Sequence, residues 1–261
     1  MHAEAALRFR VVIPARYAST RLPGKPLRML AGRTLLEHVY RQALASGAEQ
    51  VVIATDDPRI AEAAAGFGAL VCMTATTHLS GTDRLAEVAE RYGWSDETVV
   101  VNLQGDEPQM PPALLRQVAA ALIAHPEAGI ATACARIEQP AEVFDPHVVK
   151  VVRDARGAAL YFSRAPIPWH RDGFATARDA LPGATSWFRH IGLYAYRVAV
   201  LRRYPHLVPA PAEQAESLEQ LRALWYGIRI HVVEAAAAPP PGVDTEADLA
   251  RVAAALQASG E

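Results

Sequence analysis

The 261-residue sequence has little that would connect it with a membrane, with nucleic acid or with an oxidising compartment. It has no run of about 18 apolar residues, the length that a bilayer-spanning helix needs. Its net charge of -2 gives no general attraction to nucleic acid or to an anionic membrane, so any anion must be bound by a local group of cations. The N-terminal residues lack both the basic start and the apolar core of a signal peptide. We therefore expect a cytoplasmic protein.

Cysteine and the common nucleotide and metal motifs are also scarce. The two cysteines, Cys72 and Cys134, each lie in an apolar strand-like segment, and we expect both to be buried and reduced. No Gly-x-Gly-x-x-Gly turn follows a strand, and Lys25 is followed by Pro26 where a P-loop has Ser or Thr. No Cys or His spacing suits zinc. These absences disfavour dinucleotide-dependent dehydrogenases, P-loop enzymes and zinc proteins.

Apolar strand-like runs alternate with amphipathic helical stretches through the first half of the chain. This alternation predicts an α/β fold, a mostly parallel sheet flanked by helices. We see no internal repeat and no separating linker, so we predict a single α/β domain over residues 1–261. The second half should add a β-hairpin and an irregular excursion over 164–188. Predicted strands cover 9–14, 50–54, 69–73, 98–103, 129–137, 191–196 and 229–233, and predicted helices cover 33–45, 83–92, 111–125, 213–226 and 245–258, with another opening at 56–58.

The loop after the first predicted strand carries Arg16, Arg21 and Lys25 and no acidic residue. Open α/β sheets bind ligands at the carboxyl ends of their strands, and fixed cations there favour a polyanion such as a nucleoside triphosphate. A solvated surface loop is the alternative, because small clusters of cations are common on protein surfaces. The position after the first strand and the bend at residues 22–24 favour a binding site.

Two aspartates stand at positions that suit a divalent cation. Asp106 follows the continuous apolar strand at 98–103, and Asp244 precedes the last predicted helix. The alternatives are a turn for Asp106 and a helix cap for Asp244. Together the two carboxylates suit Mg²⁺, a hard cation that proteins hold with one or two carboxylates plus substrate phosphates.

Residues 14–27, Pro-Ala-Arg-Tyr-Ala-Ser-Thr-Arg-Leu-Pro-Gly-Lys-Pro-Leu, carry a resemblance to a known family. The stretch resembles the nucleotide-binding signature of the 3-deoxy-manno-octulosonate (KDO) cytidylyltransferases, which form a wider group with the N-acylneuraminate cytidylyltransferases. Further motifs that match the family follow in the same order at 54–56, 80–85, 101–108, 161–164, 189–194, 218–222 and 242–245. The resemblance thus covers nearly the whole chain.

The resemblance implies a nucleotidyltransferase with a nucleotide-diphospho-sugar transferase-like fold. It would transfer CMP from CTP to KDO, giving CMP-KDO and pyrophosphate for lipopolysaccharide biosynthesis. The family also implies Mg²⁺ as cofactor and a homodimer, with residues of about 148–200 forming a subregion for sugar-acid binding and dimer contact. Trp169 and Trp187 in that subregion would be costly to expose on a monomer, which favours the dimer.

The resemblance also assigns roles to individual residues. The implied catalytic residues are Lys25, Asp106 and Asp244, of which Asp106 and Asp244 would hold the metal. The implied nucleotide-binding residues are Ala15, Arg16, Arg21, Lys25, Ser80, Thr82 and Arg84. The implied sugar-acid-binding residues are Gln104, Arg164, His190, Tyr194, Glu219 and Gln220.

Each of these assignments has a structural alternative. Ser80 or Thr82 could simply cap a helix, and a lone histidine such as His190 is more often a packing residue than a ligand. Family members usually have glutamate at the position of Asp83, a change that keeps the charge.

Two other functions remain open at this point. The acceptor could be a different sugar acid, such as a sialic-type nonulosonate or 8-amino-KDO, or the chain could be a nucleotide-binding regulator without catalysis. The joint presence of Lys25, Asp106 and Asp244 argues against the regulator. A glycosyltransferase that uses a nucleotide sugar would need an Asp-x-Asp motif after a strand, and the sequence has none.

Overall fold

The computed structural model describes residues 7–18, 22–78, 80–183 and 185–258. Within these ranges the strands are β1 (Arg10–Ala15), β2 (Met29–Leu30), β3 (Arg33–Thr34), β4 (Gln50–Thr55), β5 (Leu70–Met73), β6 (Val99–Asn102), β7 (Ile130–Arg136), β8 (Lys150–Arg153), β9 (Ala159–Ser163), β10 (Phe188–Arg197) and β11 (Ile230–Glu234). The α-helices are α1 (Leu35–Ala45), α2 (Pro58–Gly66), α3 (Gly81–Arg91), α4 (Pro112–Ala124), α5 (Pro140–Phe144), α6 (Gly173–Thr176), α7 (Val198–Arg203), α8 (Pro211–Glu216), α9 (Gln220–Trp225) and α10 (Glu246–Ala258).

The central sheet has the strand order β11-β7-β10-β6-β1-β4-β5, and the β8–β9 hairpin pairs with β10. Strand β1 runs parallel to β4 and β6, and β7 runs parallel to β11. Strand β10 is inserted antiparallel between β6 and β7. The predicted mostly parallel sheet flanked by helices, with a hairpin in the second half, is confirmed.

The central strands are apolar on both faces because helices cover the sheet on both sides. Val11, Val12 and Ile13 of β1 are fully buried, as are Val100 and Val101 of β6. Such continuous apolar runs suit parallel strands inside a sheet. Helices α1, α4 and α10 pack on one face, whereas α3 and α7 pack on the other.

The register of β1 against β6 brings two predicted site segments together. Val12 lies opposite Asn102, so both strands end at the same edge of the sheet. The loop that follows β1 and the segment 104–106 that follows β6 are therefore neighbours.

The expectation for the cysteines is confirmed, because Cys72 and Cys134 are both free and buried. Among the described helices, none has the length and apolar character to cross a membrane.

The prediction of one helix over 213–226 is wrong in one respect, because the chain forms two short helices there. The break between α8 and α9 falls at Ser217, whose φ of 51° lies in the left-handed region. No glycine or proline marks this position in the sequence. The break places Glu219 and Gln220 at the start of α9.

The excursion between β9 and β10 forms a small core of its own. Phe174 and Trp187 are buried there with Ile137 and Val143. The Trp187 indole nitrogen donates to the Pro168 carbonyl oxygen at 2.8 Å. The expectation that Trp187 would be exposed on a monomer is therefore wrong, whereas Trp169 is 49% exposed.

A fully buried lysine fastens the excursion to the sheet. The Lys150 ammonium donates to the carbonyl oxygens of Asp145, Val148 and Arg164 at 2.8, 2.5 and 2.6 Å. Burial lowers the pKa of Lys150, and these three acceptors offset the cost of burying its charge.

We expect Lys150→Met to destabilise the protein by about 2–4 kcal/mol, because the side chain keeps its apolar stem while three partly buried carbonyl groups lose a charged donor. The free energy of unfolding from urea denaturation measures this. Arg171→Met is the control, since that side chain is 96% exposed and its loss should change stability by less than about 0.5 kcal/mol. A Lys150→Met protein as stable as the control would contradict the prediction.

Candidate active site

A cavity of about 400 Å³ lies at the carboxyl ends of β1 and β6. It brings together six of the residues predicted for the site. The lining residues are Pro14, Ala15, Arg16, Ala18, Lys25, Pro26, Gln104, Gly105, Asp106 and Asp244. A seventh predicted residue, Arg21, lies outside the described residues.

Lys25 joins the two predicted metal-binding aspartates. Its ammonium donates to Asp106 Oδ2 at 2.8 Å, to Asp244 Oδ1 at 3.1 Å and to the Val243 carbonyl oxygen at 2.8 Å. Burial lowers the pKa of Lys25, but Asp106 and Asp244 raise it by more, so the net shift is upward. Lys25 therefore stays protonated at neutral pH, and the carboxylates remain 36% and 48% exposed.

Asp244 reaches this place because the chain before α10 packs closely against the segment after β6. The Val243 N–H donates to the Asp106 carbonyl oxygen at 2.9 Å. A Cβ on Gly242 would lie 3.0 Å from that same oxygen, so glycine permits the close approach. The irregular run over 235–241 leads from β11 to this turn at the cavity.

The alternative role of Asp244 as a helix cap is not what the structure shows. Thr245 Oγ1 accepts from the Asp248 N–H at 3.2 Å, and the Asp248 carboxylate accepts from the Thr245 N–H at 3.0 Å. These two residues cap the start of α10 reciprocally. The Asp244 carboxylate faces Lys25 instead.

A third carboxyl group, Glu107, lies beside the pair. Burial, followed by the charges of Asp106 and Asp244, raises the pKa of Glu107 to about 7. Its negative charge is thus reduced near neutral pH. Within the described chain no three His, Cys, Asp or Glu side chains are grouped to hold a metal ion. The acidic residues that line the cavity are Asp106 and Asp244.

A smaller recess of about 90 Å³ adjoins the cavity and is shared by Ser80 and Arg84, with Ala15, Arg16, His78 and Gln104 also in its lining. Ser80 caps α3 through a capping box with Asp83, so aspartate serves here as the glutamate of the family would. Arg84 is 4% exposed and donates to Asp56 at 3.1 Å and to Thr74. Both residues thus have structural partners, and their nucleotide-binding role stays a prediction.

A polar row crosses the sheet beside the cavity. In the strand register Tyr194 of β10 lies between Asn102 of β6 and Thr132 of β7. Residues opposite one another in antiparallel strands share a face. The predicted residues His190 and Tyr194 lie together here, with ring centroids 5.3 Å apart. Sequence reasoning missed Asn102 and Thr132.

The burial of His190 defines its charge, and its contacts define which ring nitrogen carries the proton. Burial lowers the pKa of His190 to about 3, so the ring is neutral. Its Nε2 lies 2.9 Å from Thr132 Oγ1, and that hydroxyl donates its single hydrogen to the carbonyl oxygen of Leu193 or Ile191. The Nε2–H therefore donates to Thr132, and Nδ1 carries a lone pair. A neutral acceptor of this kind suits a ligand hydroxyl group better than a carboxylate.

The start of α9 adds two further predicted residues to this region. Burial raises the pKa of Glu219, against hydrogen bonds from Thr82 and Ser80 that lower it. Thr82, which is buried, thus hydrogen-bonds the Glu219 side chain. Gln220 is 8% exposed. Among the described residues, Glu219 Oε1 and Gln220 Nε2 are buried without a hydrogen-bond partner.

The guanidinium of Arg164 is held mainly by backbone. Its Nε donates to the Glu216 carbonyl oxygen at 2.7 Å, and another of its N–H groups donates to the Pro146 carbonyl oxygen at 2.9 Å. The backbone N–H of Arg164 donates to the Glu216 carboxylate. This residue joins β9 to α8, and its predicted contact with the sugar acid stays a prediction.

Comparison with known proteins identifies similar sequences. The family model described as cytidylyltransferase matches residues 10–230. A 3-deoxy-manno-octulosonate cytidylyltransferase of Halorhodospira halophila is 57% identical over 96% of this chain and 98% of its own. The enzyme of the same name from Alkalilimnicola ehrlichii is 58% identical, with 97% of each chain covered.

Solved structures give the same picture. The structure of CMP:2-keto-3-deoxy-manno-octonic acid synthetase complexed with CTP superposes with a TM-score of 0.87 at 43% identity, covering 97% of this chain and 99% of that one. A cytidylyltransferase from Leptospira borgpetersenii superposes with a TM-score of 0.61 at 15% identity, covering 97% of this chain and 87% of that one. The second likeness is evidence of the fold alone.

The lowered pKa of His190 predicts a loss of stability in acid. Between about pH 6.5 and 3 the unfolded histidine binds a proton and the native one does not, so stability falls by up to about 1.4 kcal/mol per pH unit as the pH decreases. We expect His190→Gln to remove this pH dependence. Between pH 7 and pH 5 its free energy of unfolding should therefore fall by about 2 kcal/mol less than that of the unmodified protein. Urea unfolding at both pH values measures it.

The control for this prediction is His206→Gln, because His206 is exposed. This variant should lose as much stability between the two pH values as the unmodified protein. The prediction fails if His190→Gln and His206→Gln respond to acid alike.

Proposed function

The chain belongs to the cytidylyltransferase family, and we propose that it transfers CMP from CTP to KDO, forming CMP-KDO and releasing pyrophosphate. The observation that carries this proposal is the single cavity in which Lys25 meets Asp106 and Asp244. The relatives named for this reaction are similar over nearly the full chain. A role in lipopolysaccharide biosynthesis would follow from the product.

In the proposed reaction the anomeric hydroxyl oxygen of KDO attacks the α-phosphorus of CTP. A new phosphorus–oxygen bond forms, the bond to the pyrophosphate oxygen breaks, and the hydroxyl proton leaves to solvent or to phosphate. Such transfer depends mainly on positioning and on neutralising charge. Arg16 and Lys25, together with Arg21 in the same loop, would bind the triphosphate and oppose the charge on the leaving pyrophosphate.

Asp106 and Asp244 fit a magnesium ion. Their carboxylates meet across Lys25, and both keep enough exposure to present an oxygen to the cavity. Two carboxylates with substrate phosphates are a usual Mg²⁺ ligand set. When bound there, the ion would polarise the α-phosphoryl group. The positive charge of Lys25 would offset the repulsion between the two carboxylates and so keep them close together.

The polar row and the start of α9 suit the sugar acid. KDO has many hydroxyl groups. His190, which is neutral, offers donors and acceptors for them together with Tyr194, Glu219 and Gln220. The small recess with Ser80 and Arg84 would take the cytosine base, since it opens beside the phosphate-binding loop.

We also propose a cytoplasmic homodimer. Several large apolar side chains of the second half are exposed on the single chain, and an interface with a second copy would cover them. They are Leu160, Tyr161, Trp169 and Trp225.

The test of the function is pyrophosphate release from CTP and Mg²⁺ with KDO or N-acetylneuraminate as acceptor. We expect release with KDO and at most slight release with N-acetylneuraminate, because neutral groups placed for one set of hydroxyls discriminate strongly against another. Absence of release with KDO would refute the proposal. Release with N-acetylneuraminate alone would reassign the acceptor.

We expect Asp106→Asn to lower kcat by at least about 100-fold, because one carboxylate ligand of the metal is lost while the side-chain volume is kept. Pyrophosphate release and circular dichroism measure activity and folding. Asp57→Asn is the control, since Asp57 caps α2 and asparagine caps a helix equally well. A folded Asp106→Asn protein with the activity of the control would remove Asp106 from the metal site.

A further inference from the structure

Asn102 is the last residue of β6 and carries a buried polar group without a partner. Its side chain is 3% exposed, and its Oδ1 has no hydrogen bond within the described chain. Leaving a buried polar group unpaired costs free energy, and native proteins rarely do so without a reason. The preceding residues of β6 are three buried valines, so an apolar residue would fit this position without that cost.

The surroundings of Asn102 are those of the predicted sugar-acid region. Tyr194 lies directly opposite it in the antiparallel register, on the same face of the sheet. Thr132, which binds His190, is the next position along the row. The first turn of α3 covers the amide, because a Cβ on Gly81 would lie 3.7 Å from Asn102 Nδ2.

Two other unpartnered polar atoms lie in the same region. Glu219 Oε1 and Gln220 Nε2 belong to the start of α9. The Glu219 side chain hydrogen-bonds Ser80 and Thr82 at the start of α3. Burial has the largest effect in raising the pKa of Tyr194, and the charge of Glu219 also raises it. Asn102 and Glu219 therefore both lie near the start of α3 and near Tyr194 of β10.

The sugar acid is a better partner for Asn102 than the nucleotide phosphates are. Asn102 does not line the cavity that contains Arg16 and Lys25. It shares its face of the sheet with Tyr194 and Thr132 instead. A carboxamide both donates and accepts, which matches the hydroxyl groups of a sugar better than it matches a phosphate.

We propose that the Asn102 side-chain amide hydrogen-bonds a hydroxyl group of the bound sugar acid and contributes to acceptor specificity. The inference rests on the proposed function. It explains why Oδ1 of this amide has no partner among the described residues, because the ligand provides one.

The test compares Asn102→Leu with Asn102→Ala, the second being too small to clash if leucine fits poorly. We expect the KM for KDO to rise about five- to tenfold or more in both variants while the KM for CTP stays within about twofold. Because leucine removes a buried oxygen that has no partner, the melting temperature of Asn102→Leu should equal or exceed that of the unmodified protein. A merely structural asparagine would not give this combination.

The matched control is Ser46→Ala. Ser46 is fully buried, and its hydroxyl donates to the Ala43 carbonyl oxygen at 2.6 Å, far in the fold from the carboxyl edge of the sheet. This variant should lose melting temperature and keep both KM values.

The inference is overturned if the Asn102 variants keep the KM for KDO, or if only the KM for CTP rises. An unmodified protein that releases no pyrophosphate with KDO would refute the proposed function itself. Activity of the unmodified protein with no KM effect in the variants would refute the Asn102 contact alone.

Discussion

The ammonium of Lys25 is the contact on which the rest of the site depends. It binds Asp106, Asp244 and the Val243 carbonyl oxygen, and so joins three parts of the chain that lie far apart in sequence. Two carboxylates this close would repel one another without a cation between them. The lysine therefore keeps the acidic pair assembled, while the exposure of both aspartates keeps them accessible from the cavity.

The sheet places the two halves of the site on one edge. Parallel pairing of β1 with β6 sets the cationic loop beside Asp106, and antiparallel β10 sets His190 and Tyr194 on the other side of β6. Without the reversed strand, the residues before Ile191 would lie at the opposite edge. The insertion of one antiparallel strand thus joins the predicted phosphate-binding half to the predicted sugar-acid half.

Apolar and amphipathic runs in the sequence predicted the strand-helix alternation, the binding site in the loop after the first strand and the buried cysteines, because these follow from local pattern and from the architecture of open α/β sheets. The break at Ser217 was not predictable, since nothing in the local sequence marks a serine with φ of 51°. Burial of Trp187 and the backbone partners of Arg164 likewise depend on residues distant in sequence. The roles of individual site residues came from the family resemblance and remain predictions.

Charge is divided unequally between the two halves, and burial explains the division. Lys25 and its aspartates lie at a cavity where solvent can screen them, and a polyanion with its metal would keep the charges balanced. The residues of the predicted sugar-acid half are partly or fully buried, and an unpaired ion among them would cost several kcal/mol or more. Its histidine is accordingly neutral, and the guanidinium of Arg164 is paired with backbone carbonyl oxygens. In the proposed function, discrimination between sugar acids would then depend on the match of individual hydroxyl groups to neutral partners, since an unmatched buried amide disfavours the wrong acceptor.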